Sequence, residues 1–155
     1  MLRRNLPLLV ALAVAVAVGG IVLLRATGED DPFADYCAAV TDHREEVGAA
    51  LAAGATTGLL RALPSFEELA DESPADIAAD WSLVVERISA LARALDDAGV
   101  DASTYDVDAP PADLPAEDRR AIETAAVRLG SQETATALAR VEQQARDVCK
   151  TPLSM

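Results

Sequence analysis

Six apolar side chains, Ile77, Trp81, Val84, Ile88, Leu91 and Leu95, recur at alternating spacings of four and three residues. That period puts all six on one stripe of a helix and leaves Asp80, Glu86, Arg87 and Arg93 on the remaining surface. A strand, with its period of two, would scatter the stripe over both faces, so the chain must bury it against other helices. Only one segment carries such a stripe, which favours packing inside a domain over pairing with a partner helix. Ser73-Pro74-Ala75-Asp76 just before it reads as an N-cap serine, a proline at the first helical position and an acid where a capping box places one. Gly99 is a natural stop.

The rest of the body follows the same period. From Pro32 onward, Phe33, Cys37, Val40, Val47 and Leu51 fall near one helical face, until Gly54 and Gly58 break the pattern. Leu59, Leu60, Leu63, Phe66 and Leu69 form a second helical segment, in which Pro64 must begin a new helix or bend the old one. Residues 100–114, rich in Asp and Pro, are the one long irregular stretch. Helix resumes at Pro115 with Ile122, Ala125, Ala126 and Leu129 inward, and pauses at Gly130. Ser131 then caps a last helix whose Leu138, Val141, Ala145, Val148 and Cys149 share a face. The expected fold is all-α: an N-terminal transmembrane helix followed by a four- to five-helix bundle over residues 33–150, with a tail at 151–155.

Cys37 and Cys149, the only two cysteines, lie near opposite ends of this body, the pattern of a disulfide formed in an oxidising compartment. Closing so long a loop contributes about 4–5 kcal/mol in the chain-entropy account, before native strain is subtracted. Strictly alternating helices, five in number, would leave the two cysteines at opposite ends of the bundle. A bridge therefore requires one non-alternating connection, and the stretch 100–114 is long enough to supply it.

Residues 6–24 are an uncharged, almost wholly apolar run of 19 residues between Arg3-Arg4 and Arg25. As a helix it would extend about 28 Å, close to the hydrocarbon thickness of a bilayer. Residues 1–25 thus read as a retained membrane anchor or, second, as a cleaved signal peptide, which would leave the body secreted. The run is longer than an ordinary signal-peptide core, and no cysteine follows it at a lipobox position. Arg3 and Arg4 favour the N-terminus inside, and the cysteine pair favours the body outside. Residues 26–32 form a short acidic linker.

Charge narrows the function classes. The chain holds 13 basic against 26 acidic side chains, and with three arginines and no acid before residue 26 the body carries a net charge of −16. Such a surface repels phosphate backbones, so no nucleic-acid partner is expected. Aromatic residues make up 3% of the chain, too few for stacking platforms. His43 is the only imidazole; with Glu46 three residues on it could share a proton, but one histidine does not furnish a structural zinc or di-iron set. Asp101, Asp106, Asp108 and Asp113 could offer oxygen ligands to calcium from the loop 100–114, without the spacing of an EF-hand. The pairs Glu45/Glu46, Glu67/Glu68 and Asp96/Asp97 are helix-surface neighbours, whereas glycoside hydrolysis needs carboxylates facing each other across a cleft. No nucleophile elbow, phosphate loop or Cys-x-x-Cys is present. Hence no catalytic residue, metal ligand or cofactor is assigned, and no enzyme is expected. Trp81 belongs to the core stripe. Tyr36 starts a helix, and Tyr105, between acids and Pro110-Pro111, is the candidate exposed contact.

With twelve arginines to one lysine and alanine near a fifth of the chain, the composition matches a GC-rich coding bias. Tyr36-Cys37-Ala38-Ala39-Val40 at one end and Ala145-Arg146-Asp147-Val148-Cys149-Lys150 at the other carry a likeness. The chain resembles small uncharacterised actinobacterial envelope proteins that pair an N-terminal apolar segment with a helical domain bearing one Cys near each end. The resemblance implies an anchored or secreted helical body and assigns no binding residue. The expectation is a membrane-anchored, extracytoplasmic module in the cytoplasmic membrane that binds a protein partner in the envelope, its apolar run 6–24 seated in the bilayer. The alternatives are a small-ligand or lipid-binding bundle and a calcium-dependent surface protein.

Overall fold

Every regular element is a helix among the residues described by a computed structural model of the protein, 31–106 and 109–155. They are α1 (Ala34–Leu51), α2 (Ala55–Asp71), α3 (Ala78–Asp97), α4 (Ala116–Leu129) and α5 (Gln132–Val148). The expectation of an all-α body of four to five helices is met, with five among the described residues. Among the described residues no helix is long and apolar enough to cross a membrane. The anchor or signal segment at 1–25, with its run 6–24, and linker residues 26–30 lie outside the described residues.

α3 is the hub, because its apolar stripe is buried against three other helices. Trp81, Val84, Ile88, Leu91 and Leu95 are fully buried, and Ile77 joins them from just ahead of the helix. Burying each such side chain contributes about 1.5–3 kcal/mol. Three helices cover it: α2 along one side, α4 and α5 along another. The start of α3 differs from the expected capping box. The Ser73 hydroxyl turns back to donate to the Ala70 carbonyl at 2.6 Å, and Asp76 accepts from Gln144 of α5. Both side chains have found acceptor or donor partners outside the nascent helix. A turn closed by the Ile77 amide on the Pro74 carbonyl therefore opens the segment. Ser131 does cap α5, accepting from the Thr134 amide at 3.3 Å.

The two glycines after α1 act differently. Gly54, with φ at +105°, turns the chain between α1 and α2 in a conformation L side chains avoid. Gly58 lies inside α2, where a Cβ would stand 2.7 Å from the Leu51 Cα, so it permits the close α1–α2 corner. α2 runs through Pro64 as one helix. The proline is exposed, so the hydrogen bond it removes faces solvent.

Side-chain pairs fix the directions. His43 of α1 meets Glu68 of α2, and Arg61 near the start of α2 reaches Ser103 beyond the end of α3, so α1, α2 and α3 alternate. Between α3 and α5, Arg87 meets Glu133, Asp80 meets Arg140 and Asp76 meets Gln144, an antiparallel order. α5 thus begins halfway down α3, where α4 ends. α4 and α5 each pack on α3, rather than side by side, as successive halves of one interrupted rod. Four rods alternate, and the fourth is broken at Gly130-Ser131.

This arrangement brings Cys149 to Cys37, with 5.0 Å between their Cα atoms across 112 residues of sequence. The expected disulfide is present. The expected crossover is not where the sequence placed it: the non-alternating connection is the two-residue junction Gly130-Ser131, while 100–114 makes an ordinary reversal. A junction of two residues suffices because α5 needs only to continue along α3, with no return to the far end. Residues 151–155 then run back along α1, burying Leu153 and laying the Met155 backbone against Gly48.

Candidate functional site

The bridged end of the bundle is built on aromatic side chains. Tyr36 is one turn from Val40 on α1 and is buried with it, its oxygen accepting a 3.1 Å hydrogen bond from the Trp81 indole. Phe66 of α2 meets Trp81 edge-on at 5.6 Å between ring centres. Trp81 thus takes the core position its place on the stripe predicts. Burial raises the Tyr36 pKa above the ordinary phenol value, and Asp76 adds to it; the Trp81 bond pulls the other way. Tyr36 was legible only as a helix-start aromatic, although its four-residue spacing to Val40 was the available signal. The half-buried Cys37–Cys149 bridge adjoins this cluster in sequence and stitches α1 to α5.

Tyr105 is corrected from exposed contact to core: it is 5% accessible. Its carbonyl accepts from Thr57 at 2.7 Å, and the neighbouring Ser103 carbonyl accepts twice from Arg61. These clips draw the start of the loop onto α2 and press the ring under α4. Burial raises the Tyr105 pKa, helped by Glu123 and Asp106. Tyr105, Pro110, Leu114, Ile122, Ala126 and Val127 line a pocket of about 160 Å³, with Arg119 and Glu123 also on its wall. The four-residue step from Pro110 to Leu114 was its only signal in the sequence.

Among the described residues, the loop carboxylates Asp101, Asp106 and Asp113 are not gathered into a group that could hold a metal ion. Asp101 accepts the Ser103 amide at 2.8 Å; hydrogen bonding from the Ser103 side chain first, and then from this amide, lowers its pKa. Asp113 is exposed and Asp108 lies outside the described residues. Among the described residues no group of three His, Cys, Asp or Glu side chains could hold a metal ion.

His43 sits in a groove of about 470 Å³ between α1 and α2, walled by Asp35, Asp42, Glu68, Asp71 and Glu72. Its Nε2 is 3.0 Å from Glu68 and its Nδ1 is 3.7 Å from Glu46. A neutral imidazole carries one N–H and can donate to one of these carboxylates; the imidazolium can serve both. Glu45/Glu46, Glu67/Glu68 and Asp96/Asp97 are exposed along helix surfaces.

The fourth feature borders α4. Ala90 and Ala94 of α3 with Glu117, Ala121, Thr124 and Arg128 of α4 line an open, mainly apolar groove of about 370 Å³.

Set against known proteins, the chain matches no family model, no curated protein and no solved structure.

Proposed function

We propose that the protein is a non-enzymatic, membrane-anchored helical module of the cell envelope that acts by binding another protein. In this reading the run 6–24 lies in the bilayer, with the N-terminus inside and the bundle outside, the orientation that Arg3-Arg4 and the cysteine pair favour. The observation that carries it is the Cys37–Cys149 bridge, since a bond joining the two ends of a body belongs to an oxidising compartment. The uncharged 19-residue run ahead of it supports the anchor. The acidic body supports a protein rather than a nucleic-acid partner.

Lys150, the only lysine, gives a direct test because it is exposed at the end of α5. Intact cells expressing the full chain, treated with a membrane-impermeant amine reagent, should yield chain labelled at Lys150 and unlabelled at the N-terminal amine. Labelling of Lys150 only after lysis would place the body inside and overturn the reading. Labelled chain in the medium would replace the anchor by a cleaved signal peptide.

A second reading, a bundle that holds a small apolar ligand, draws on the pocket under Tyr105. Its volume of about 160 Å³ is near that of engineered dry cavities that take a benzene ring. Benzene-sized aromatic probes should raise the melting temperature and protect the pocket residues; no shift at saturating probe would remove this reading.

A further inference from the structure

α4 packs extensively on one helix, α3, with the loop at Tyr105 against one flank and the other flank open to solvent. On the flank beside α3, Glu117, Ala121, Thr124 and Arg128 follow one another at spacings of four, three and four, all exposed. Glu117 and Arg128 form no ion pair with another described residue, whereas Arg87, Arg140 and Arg146 do. The order acid, small, small, base is its own complement when reversed. If a second α4 is laid antiparallel, about a two-fold axis passing between Ile122 and Glu123, Glu117 faces Arg128 of the second copy at both ends. Ala121 then faces Thr124, whose hydroxyl already has a partner in the Arg120 carbonyl at 2.7 Å.

The small central residues, with Ala90 and Ala94 beside them, let two helix axes approach toward the near end of the usual packing distance. The helix dipole accounts for an acid in the first turn and a base in the last. It does not require the two to share one stripe, and Asp118 meets the same dipole from another face of the helix.

We propose that α4 and the groove beside it form a two-fold contact between two copies of this chain. The proposal supplies the partner for the interaction reading, and rests on that reading only for where the pairing takes place. Confinement of both copies to one membrane would favour so small a contact by raising their local concentration.

The test uses the full chain in detergent micelles, followed by sedimentation over a concentration series. A reversible monomer–dimer equilibrium is expected. Glu117→Arg and Arg128→Glu should each weaken it about tenfold, because two-fold symmetry counts each reversed pair twice. The double variant, which restores opposite charges, should return to within about threefold of the parent. Unchanged helicity and melting of the monomers would show that the substitutions leave the fold alone. A chain monomeric at every concentration would overturn the proposal. So would a dimer indifferent to the single substitutions, which would assign association to residues 6–24, or a double variant no better than the singles. None of these outcomes depends on which compartment the body occupies, which amine labelling of intact cells reads separately.

Discussion

The two ends of the bundle are held by different means. At one end the Cys37–Cys149 bridge and the Tyr36–Trp81–Phe66 cluster tie α1, α2, α3 and α5 to one another. At the other, the loop after α3 is clipped to α2 by Thr57 and Arg61, and α4 rests on α3. The bridge closes 112 residues of sequence covalently, whereas the clips at the far end span 42 and 48 residues by hydrogen bonds alone. The apolar openings, the pocket under Tyr105 and the α4 groove, lie at the far end, whereas the acidic groove around His43 lies between α1 and α2 toward the bridged end.

Removal of the bridge should have the largest effect. Cys37→Ser with Cys149→Ser should lower unfolding free energy by about 4–5 kcal/mol on the chain-entropy account, read by urea denaturation. A loss below 1 kcal/mol would erase the contrast between the ends. Trp81→Ala should cost about 3–5 kcal/mol, as for large aromatic side chains removed from a core, and also strand the Tyr36 hydroxyl.

Gly48→Ala sharpens the comparison because helix propensity alone predicts a gain of about 1 kcal/mol. Here the new Cβ would meet the Met155 carbonyl, so the tail must move and expose Leu153. A net loss of about 1–3 kcal/mol and faster hydrogen exchange in residues 151–155 are expected. At the far end Arg61→Ala should cost about 1 kcal/mol and raise exchange in the loop while leaving α1 protected. Equal loosening at both ends would show that they are one cooperative unit.

The smallest effect near neutrality comes from the tyrosines, one at each end. Burial raises both pKa values above the ordinary 10.0, so the phenols are protonated in folded and unfolded chains alike at lower pH. As pH rises past that value the unfolded chain loses protons first, and stability falls until pH exceeds the folded values. Tyrosinate absorbance should therefore appear at higher pH in the folded protein than in urea. Coincident curves would contradict the burial of both rings.

How much of this was legible follows from which residues depend on their neighbours in sequence. The α3 stripe, the Ser131 cap and the Gly99 stop are local patterns, and each appears in its expected place. Ser73 and Asp76 were misjudged because Ala70 and Gln144 compete for their side chains, and Gln144 is 68 residues away. Tyr105 sits among acids and prolines, and its burial depends on Thr57, 48 residues upstream. The break at Gly130-Ser131 was visible as a pause. Its direction was not, because continuation or reversal is decided by the surface α3 offers beyond Arg87. The cysteines required one non-alternating step without saying where, and chain length made 100–114 the natural choice. The self-complementary stripe on α4 was present in the sequence, but only the packing of α4 on α3 shows that it is open.

The proposed export of the body rests on one covalent bond, Cys37–Cys149. Native protein taken from the membrane fraction, alkylated with and without prior reduction and weighed intact, tests that bond directly. A full-length chain that takes no label until reduced, and two labels afterward, is expected. A full-length chain labelled twice without reduction would contradict the bridge and remove the support it gives to export.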